Sequence, residues 1–79
     1  MQTKRFRGWV TVHRVVRGPA LARSPDYDVE VADNEHAVVK ASEEVLRLWR
    51  AAGQPIDAGP DLRGIPIAEL QAQANVISR

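Results

Sequence analysis

Arg5, Arg7, Trp9, His13 and Arg17 all fall at odd positions in a run rich in β-branched and aromatic residues. An extended strand sends alternate side chains to opposite faces, so these five share one face. Cations interleaved with an indole and an imidazole can neutralise phosphates and stack on bases. Other chemistry is harder to find. Ser24, Ser42 and Ser78 have no context resembling a nucleophile elbow. His13 and His36 have no orienting acid and nucleophile at recognisable spacing. His36, beside Glu35, reads as a solvated residue of the first helical turn, and His13 reads as a surface histidine of the strand's polar face. Glu43-Glu44 reads as a solvated helix exterior, and the glycines at 53, 59 and 64 are too dispersed to cradle a phosphate. The chain contains no cysteine and only two histidines, far apart. No metal or cofactor is expected, and no enzymatic activity.

The elements that position these residues follow from periodicity. A first strand is expected over about residues 5–17, with Phe6, Gly8, Val10, Val12, Arg14 and Val16 on its more apolar face. Gly18-Pro19 breaks it, and a loose connection over 18–25 leads through Ser24-Pro25 to a second strand over 27–32. There Tyr27, Val29 and Val31 alternate with Asp28, Glu30 and Ala32. The period then changes from two to steps of three and four. Ala37, Val38, Ala41, Val45, Leu48, Trp49 and Ala52 mark one stripe of a helix over about 34–52. Asp33 or Asn34 can cap its start, with Glu35 in the first turn. Arg47 and Arg50 suit its end, and Gly53 stops it before Pro55. Residues 53–64 read as a loop. Ile65, Ile67, Leu70, Ala74 and Ile77 suggest a short helix over about 66–77, with a strand at Asn75–Ser78 as the competing reading. The expected fold class is α+β: an antiparallel β-hairpin packed on a long amphipathic α-helix, with a short C-terminal helix or strand.

A chain of 79 residues makes one small domain. A domain of that size buries only about 60% of its unfolded surface. A lone hairpin and helix is not normally stable, so the C-terminal segment or a second copy has to cover the rest. Val39 and Leu46 lie seven apart off the main stripe. They are expected under the C-terminal helix or, failing that, at a partner or dimer surface. Charge is segregated along the chain. Residues 1–25 hold six cations and no acid, whereas residues 26–46 hold seven acids and one lysine. In an antiparallel hairpin the two blocks meet, and Arg–Asp or Arg–Glu pairs should form across it. No apolar run approaches the ~20 residues of a membrane span, and the N-terminus lacks the apolar core of a signal peptide. A cytoplasmic setting, bacterial or in an infected host cell, is expected, with no membrane partner.

Arg7-Gly8-Trp9 resembles the opening of the RNA-recognition-motif signature, but Val10-Thr11-Val12 lacks its later aromatics. Tyr27-Asp28-Val29-Glu30-Val31-Ala32-Asp33 leading to Ala37 and Ala41 resembles the hairpin-plus-helix accessory proteins of phages and mobile elements, a group that includes several anti-CRISPR inhibitors. That resemblance implies occlusion, a small rigid protein covering a functional surface of a larger host complex. Basic residues 4–23 would then meet an acidic patch, or the acidic stretch 26–44 would mimic nucleic acid in a basic channel. The expected function is therefore a non-enzymatic protein-binding or regulatory module that acts on a protein target. The alternative is nucleic-acid binding through the basic first strand. The candidate interaction residues are Arg5, Arg7, Trp9, His13, Arg17, Val39 and Leu46.

Overall fold

Alternating apolar and polar residues make the first strand, β1, run from Thr3 to Arg14. In a computed structural model of the chain, residues 2–14, 20–56 and 67–79 are described, apart from the side chain of Ile67. Expectations for Val15, Val16 and Arg17, for the Gly18-Pro19 break and for residues 57–64 lie outside the described residues. A short strand β2 (Ala22–Arg23) and a strand β3 (Tyr27–Ala32) follow, then one helix, α1 (Ala37–Ala51). After a 3-10 turn at Ile67–Glu69 comes a last strand, β4 (Leu70–Ser78).

The four strands form one antiparallel sheet with β1 at its centre. β3 pairs with residues 3–8 of β1, and β2 pairs with Thr11 and Val12. β4 pairs with residues 6–14 along the opposite edge. Between the pairs Gly8–Tyr27 and Thr11–Arg23, two residues of β1 face three of the other chain segment. β2 and β3 are thus one strand carrying a β-bulge at Ser24-Pro25-Asp26. Proline cannot donate to the ladder, and Ser24 compensates. Its hydroxyl accepts the Val10 N–H at 2.8 Å and donates to the Pro25 carbonyl at 2.8 Å, while its own N–H reaches the Val10 carbonyl. The side chain is 1% exposed, so this replacement leaves no buried polar group unpaired.

One face of the sheet is packed under α1. Phe6, Val10 and Val29 from the strands meet Ala37, Ala41, Val45 and Trp49, which recur every four residues along the helix. Tyr27, Val31, Ala74 and Val76 close the rim of this core. Val10, Ala41 and Val45 are fully buried. Gly8 lets the helix approach: a Cβ there would lie 2.5 Å from Val45 Cγ2. At the helix end, the Gly53 N–H bonds the Arg50 carbonyl and the Gln54 N–H bonds the Trp49 carbonyl, a Schellman closure. Gly53 supplies the positive φ, +89°, that the closure needs. The Trp49 indole N–H is satisfied by the Pro55 carbonyl at 2.9 Å.

The strand over 27–32 matches the expectation, as do Phe6, Gly8, Val10 and Val12 on the apolar face of β1 and Ala37, Ala41, Val45 and Trp49 of the helical stripe. Val38, expected on that stripe, is 58% exposed, Ala52 is exposed and Leu48 only half-buried, because the buried residues recur in four-residue steps alone. Four corrections follow. The helix starts at Ala37 rather than about 34, because Asn34 spends its side-chain oxygen on the His36 N–H in a turn. Glu35 therefore precedes the first helical turn, and His36 is the cap residue without a side-chain cap bond. Residues 22 and 23 are not loop; they extend the ladder past the bulge. Of the segment expected as a helix over 66–77, Ile67–Glu69 form a 3-10 turn and the residues from Leu70 on form β4, within which the competing strand at Asn75–Ser78 falls. β1 offered an unpaired edge, and Leu70, Ala72, Ala74 and Val76 also fit a two-residue period. With no C-terminal helix to cover it, Val39 is exposed, whereas Leu46 is half-buried against the core.

Candidate functional site

The face of the sheet opposite α1 carries no covering layer among the described residues. Arg5, Arg7, Trp9, Thr11 and His13 project from β1 on this side, as their odd spacing requires. β3 adds Asp28 and Glu30 opposite Arg7 and Arg5. β4 adds Gln71, Gln73, Asn75 and Ile77 opposite His13, Thr11, Trp9 and Arg7. The bulge reverses the parity of its strand, so Arg23 also lands here, opposite Thr11.

Most cations of this face have a carboxylate beside them. Arg5 Nε donates to Glu30 at 3.3 Å, and Arg7 lies 3.5 Å from Asp28. Asp28 also meets Arg79 at 3.1 Å, and Arg23 meets Asp26 at 2.5 Å. The Thr3 hydroxyl donates to Glu30 at 2.6 Å. That hydrogen bond, followed by the one from Arg5, holds the Glu30 carboxyl below the usual glutamate range. Each pair is solvent-exposed and worth little as stability. Their effect is on the field: the positive charge read from β1 alone is matched by acids brought alongside.

At the centre the face changes character. The Arg23 guanidinium lies over the Trp9 ring, 4.7 Å from its centroid. Asn75 Nδ2 donates to the Thr11 hydroxyl at 3.1 Å, and that hydroxyl lies 2.8 Å from His13 Nε2. Ile77, next in line on β4, is 52% exposed. A hydroxyl and an imidazole at hydrogen-bonding distance are two parts of a nucleophile–base pair. Among the described residues no carboxylate bonds the imidazole's other nitrogen, and the hydroxyl sits on an open strand surface.

Arg5, Arg7, Trp9 and His13 are thus brought together. Arg17 lies outside the described residues, and Val39 and Leu46 sit on α1, on the other side of the sheet. A separate groove of about 550 Å³ lies between β3 and α1, lined by Val31, Ala32, Lys40 and Glu44 among others. Its charges pair locally, Lys40 with Glu43 at 3.7 Å and Arg47 with Glu44. The Arg47 hydrogen bond lowers the Glu44 carboxyl below its ordinary range. Among the described residues no group of three or more His, Asp or Glu side chains could hold a metal. No helix of these residues is long and apolar enough to cross a membrane.

Sequence reasoning missed Arg23, Gln71, Gln73, Asn75 and Ile77 as members of the face. For β4 a signal existed, the alternation of Gln71, Gln73 and Asn75 with Ala72 and Ala74. For Arg23 there was none without the bulge. Comparison of the chain with protein-family models, with curated proteins and with solved structures finds no match.

Proposed function

We propose that the chain is a non-enzymatic protein-binding module that works by laying the open face of its sheet against a larger protein. The observation that carries this reading is the makeup of that face. Its cations are matched by carboxylates, while its centre offers Trp9, Arg23, Thr11, Asn75 and Ile77. Aromatic residues and arginine are the residues that anchor protein interfaces, and lysine is depleted there. A phosphate backbone instead rewards unmatched positive charge. A regulatory or inhibitory role, occluding a host complex in the cytoplasm of a bacterium or an infected cell, rests on the resemblance of Tyr27–Ala41 to phage accessory proteins.

One observation favours a second reading. Trp9 on an uncovered sheet face, with Arg23 beside it, has the form of a base-stacking platform for single-stranded nucleic acid. Capture from a lysate of the source cell, with and without nuclease, separates the two. Protein binding predicts a nuclease-resistant partner whose recovery falls at least about ten-fold with Trp9→Ala, as for an interface anchor. Thermal melting of the variant serves as the control for folding. Nuclease-sensitive recovery, with affinity falling steeply as salt rises, would replace the protein reading with the nucleic-acid one.

A further inference from the structure

The two outer edges of the sheet are built differently. The β2/β3 edge is broken by the bulge at Pro25 and carries Asp28 and Glu30. Breaks and charges of this kind stop one sheet edge from pairing with another. β4 has none of them. Its nine residues, LQAQANVIS, include no charge, no proline and no glycine. It pairs with β1 along one side, and no strand pairs with its other side among the described residues.

The direction of the free groups can be read from the ladder. The Arg79 N–H donates to the Arg5 carbonyl at 3.0 Å, so Arg79 turns its backbone toward β1. In an antiparallel ladder this alternates by residue. Gln71, Gln73, Asn75 and Ile77 therefore also turn inward, and Leu70, Ala72, Ala74, Val76 and Ser78 turn their N–H and C=O groups outward.

We infer that this edge pairs with β4 of a second copy of the chain, antiparallel and centred on Ala74, giving one sheet continuous across a twofold axis. That register sets Ala74 against its own symmetry mate, Ala72 against Val76, and Leu70 against Ser78. Every outward-facing backbone group then meets another, as the ladder requires. On the open face Gln73 meets Asn75, an amide against an amide. No like charges are opposed anywhere along the pair, and an isologous contact needs this self-complementarity.

The helix supports the same occupant. Lys40, Glu44 and Arg47 line the groove beside β3, so the helical period places Val38, Ser42 and Leu46 on the flank toward β4. Val38 and Val39 are 58% and 57% exposed. Pairing would bring this flank beside its symmetry mate on one face of the joined sheet. The two Trp9 faces would lie together on the other, although the dimer does not depend on what that face binds. A nine-residue strand is about 30 Å long, and a sheet with its side chains about 10 Å thick. The strand contact alone therefore falls below the usual size of specific interfaces, so the dimer is a weak one whose population depends on concentration.

Sedimentation velocity of the full chain over a wide concentration range tests this. The mass should rise from monomer to dimer as concentration rises. Gln71→Lys/Gln73→Lys, at two exposed positions, should weaken association at least about ten-fold by charging the edge. In the wild-type chain, NMR hydrogen exchange at the Ala72, Ala74 and Val76 amides should slow as concentration rises. A chain that stays monomeric throughout overturns the inference. So does a dimer whose Ala72, Ala74 and Val76 amides exchange no more slowly than in the monomer.

Discussion

Gly8 is where α1 comes nearest the centre of the sheet, and Gly8→Ala is the sharpest test of the packing. The added methyl would stand 2.5 Å from Val45 Cγ2, 2.9 Å from Val76 Cγ1 and 2.9 Å from the Asn75 carbonyl oxygen. Carbon atoms in contact settle at about 3.5–4.0 Å, so all three neighbours must give way. None can do so cheaply. Val45 is fully buried on a helix, where a β-branched side chain has one strongly preferred rotamer. The Asn75 oxygen belongs to the backbone of β4, so moving it shifts the strand against β1. Overpacking of this kind costs about 1–3 kcal/mol. Losing glycine's freedom in the unfolded chain returns about 0.4–1 kcal/mol. The net loss is about 1–2 kcal/mol, which at about 4–8 °C per kcal/mol lowers Tm by about 5–15 °C. Thermal melting followed by circular dichroism, checked by a urea titration, measures it. A Tm equal to or above that of the parent would refute the close approach of Val45 to β1, and with it the seating of the helix.

Two further perturbations test the bulge and the charged edge. Ser24→Ala removes the acceptor of the buried Val10 N–H and should cost about 1–3 kcal/mol in urea unfolding; a loss below about 0.5 kcal/mol would mean that the amide finds another partner. Thr3→Ala removes the largest cause of the lowered Glu30 pKa, so the Glu30 titration midpoint, followed by the NMR shift of its carboxyl carbon, should move up toward the ordinary glutamate value. A lowered carboxyl adds stability above its unfolded-state pKa and loses it as pH falls through the folded-state value, so the Glu30 contribution should vanish in acid and be smaller in the variant throughout. An unmoved midpoint would exclude the hydroxyl as the cause.

What the sequence revealed depended on how far apart the deciding residues lie. Tyr27, Val29 and Val31 carry the strand period alone, and the three- and four-residue steps from Ala37 to Ala52 carry the helix alone, so both elements were legible, although Val38 of that stripe is 58% exposed. β4 was not, because Leu70, Ala74 and Ile77 fit a helix while Leu70, Ala72, Ala74 and Val76 fit a strand. Nothing local chooses between them. The choice falls to β1, more than fifty residues away, whose second edge needs a partner. The bulge was hidden for a related reason. One extra residue at Ser24-Pro25-Asp26 inverts the parity of everything before it, and only the register with β1 exposes the inversion.

The same logic governs the site. A basic first block and an acidic second block make the chain look like a dipole, and the basic strand alone invites a phosphate. Antiparallel pairing sets Arg5 against Glu30 and Arg7 against Asp28, so segregation along the sequence becomes neutralisation in space. Arg5 and Arg7 thus each have a carboxylate beside them. What distinguishes the face is then its centre, where Arg23 lies over Trp9 and Asn75 of β4 bonds Thr11. Asn75, on its β4 side, belongs to a segment whose local periodicity fits helix and strand alike. The charge of β1 alone therefore omits both the acids that β3 sets beside it and the amides that β4 adds from the far end of the chain.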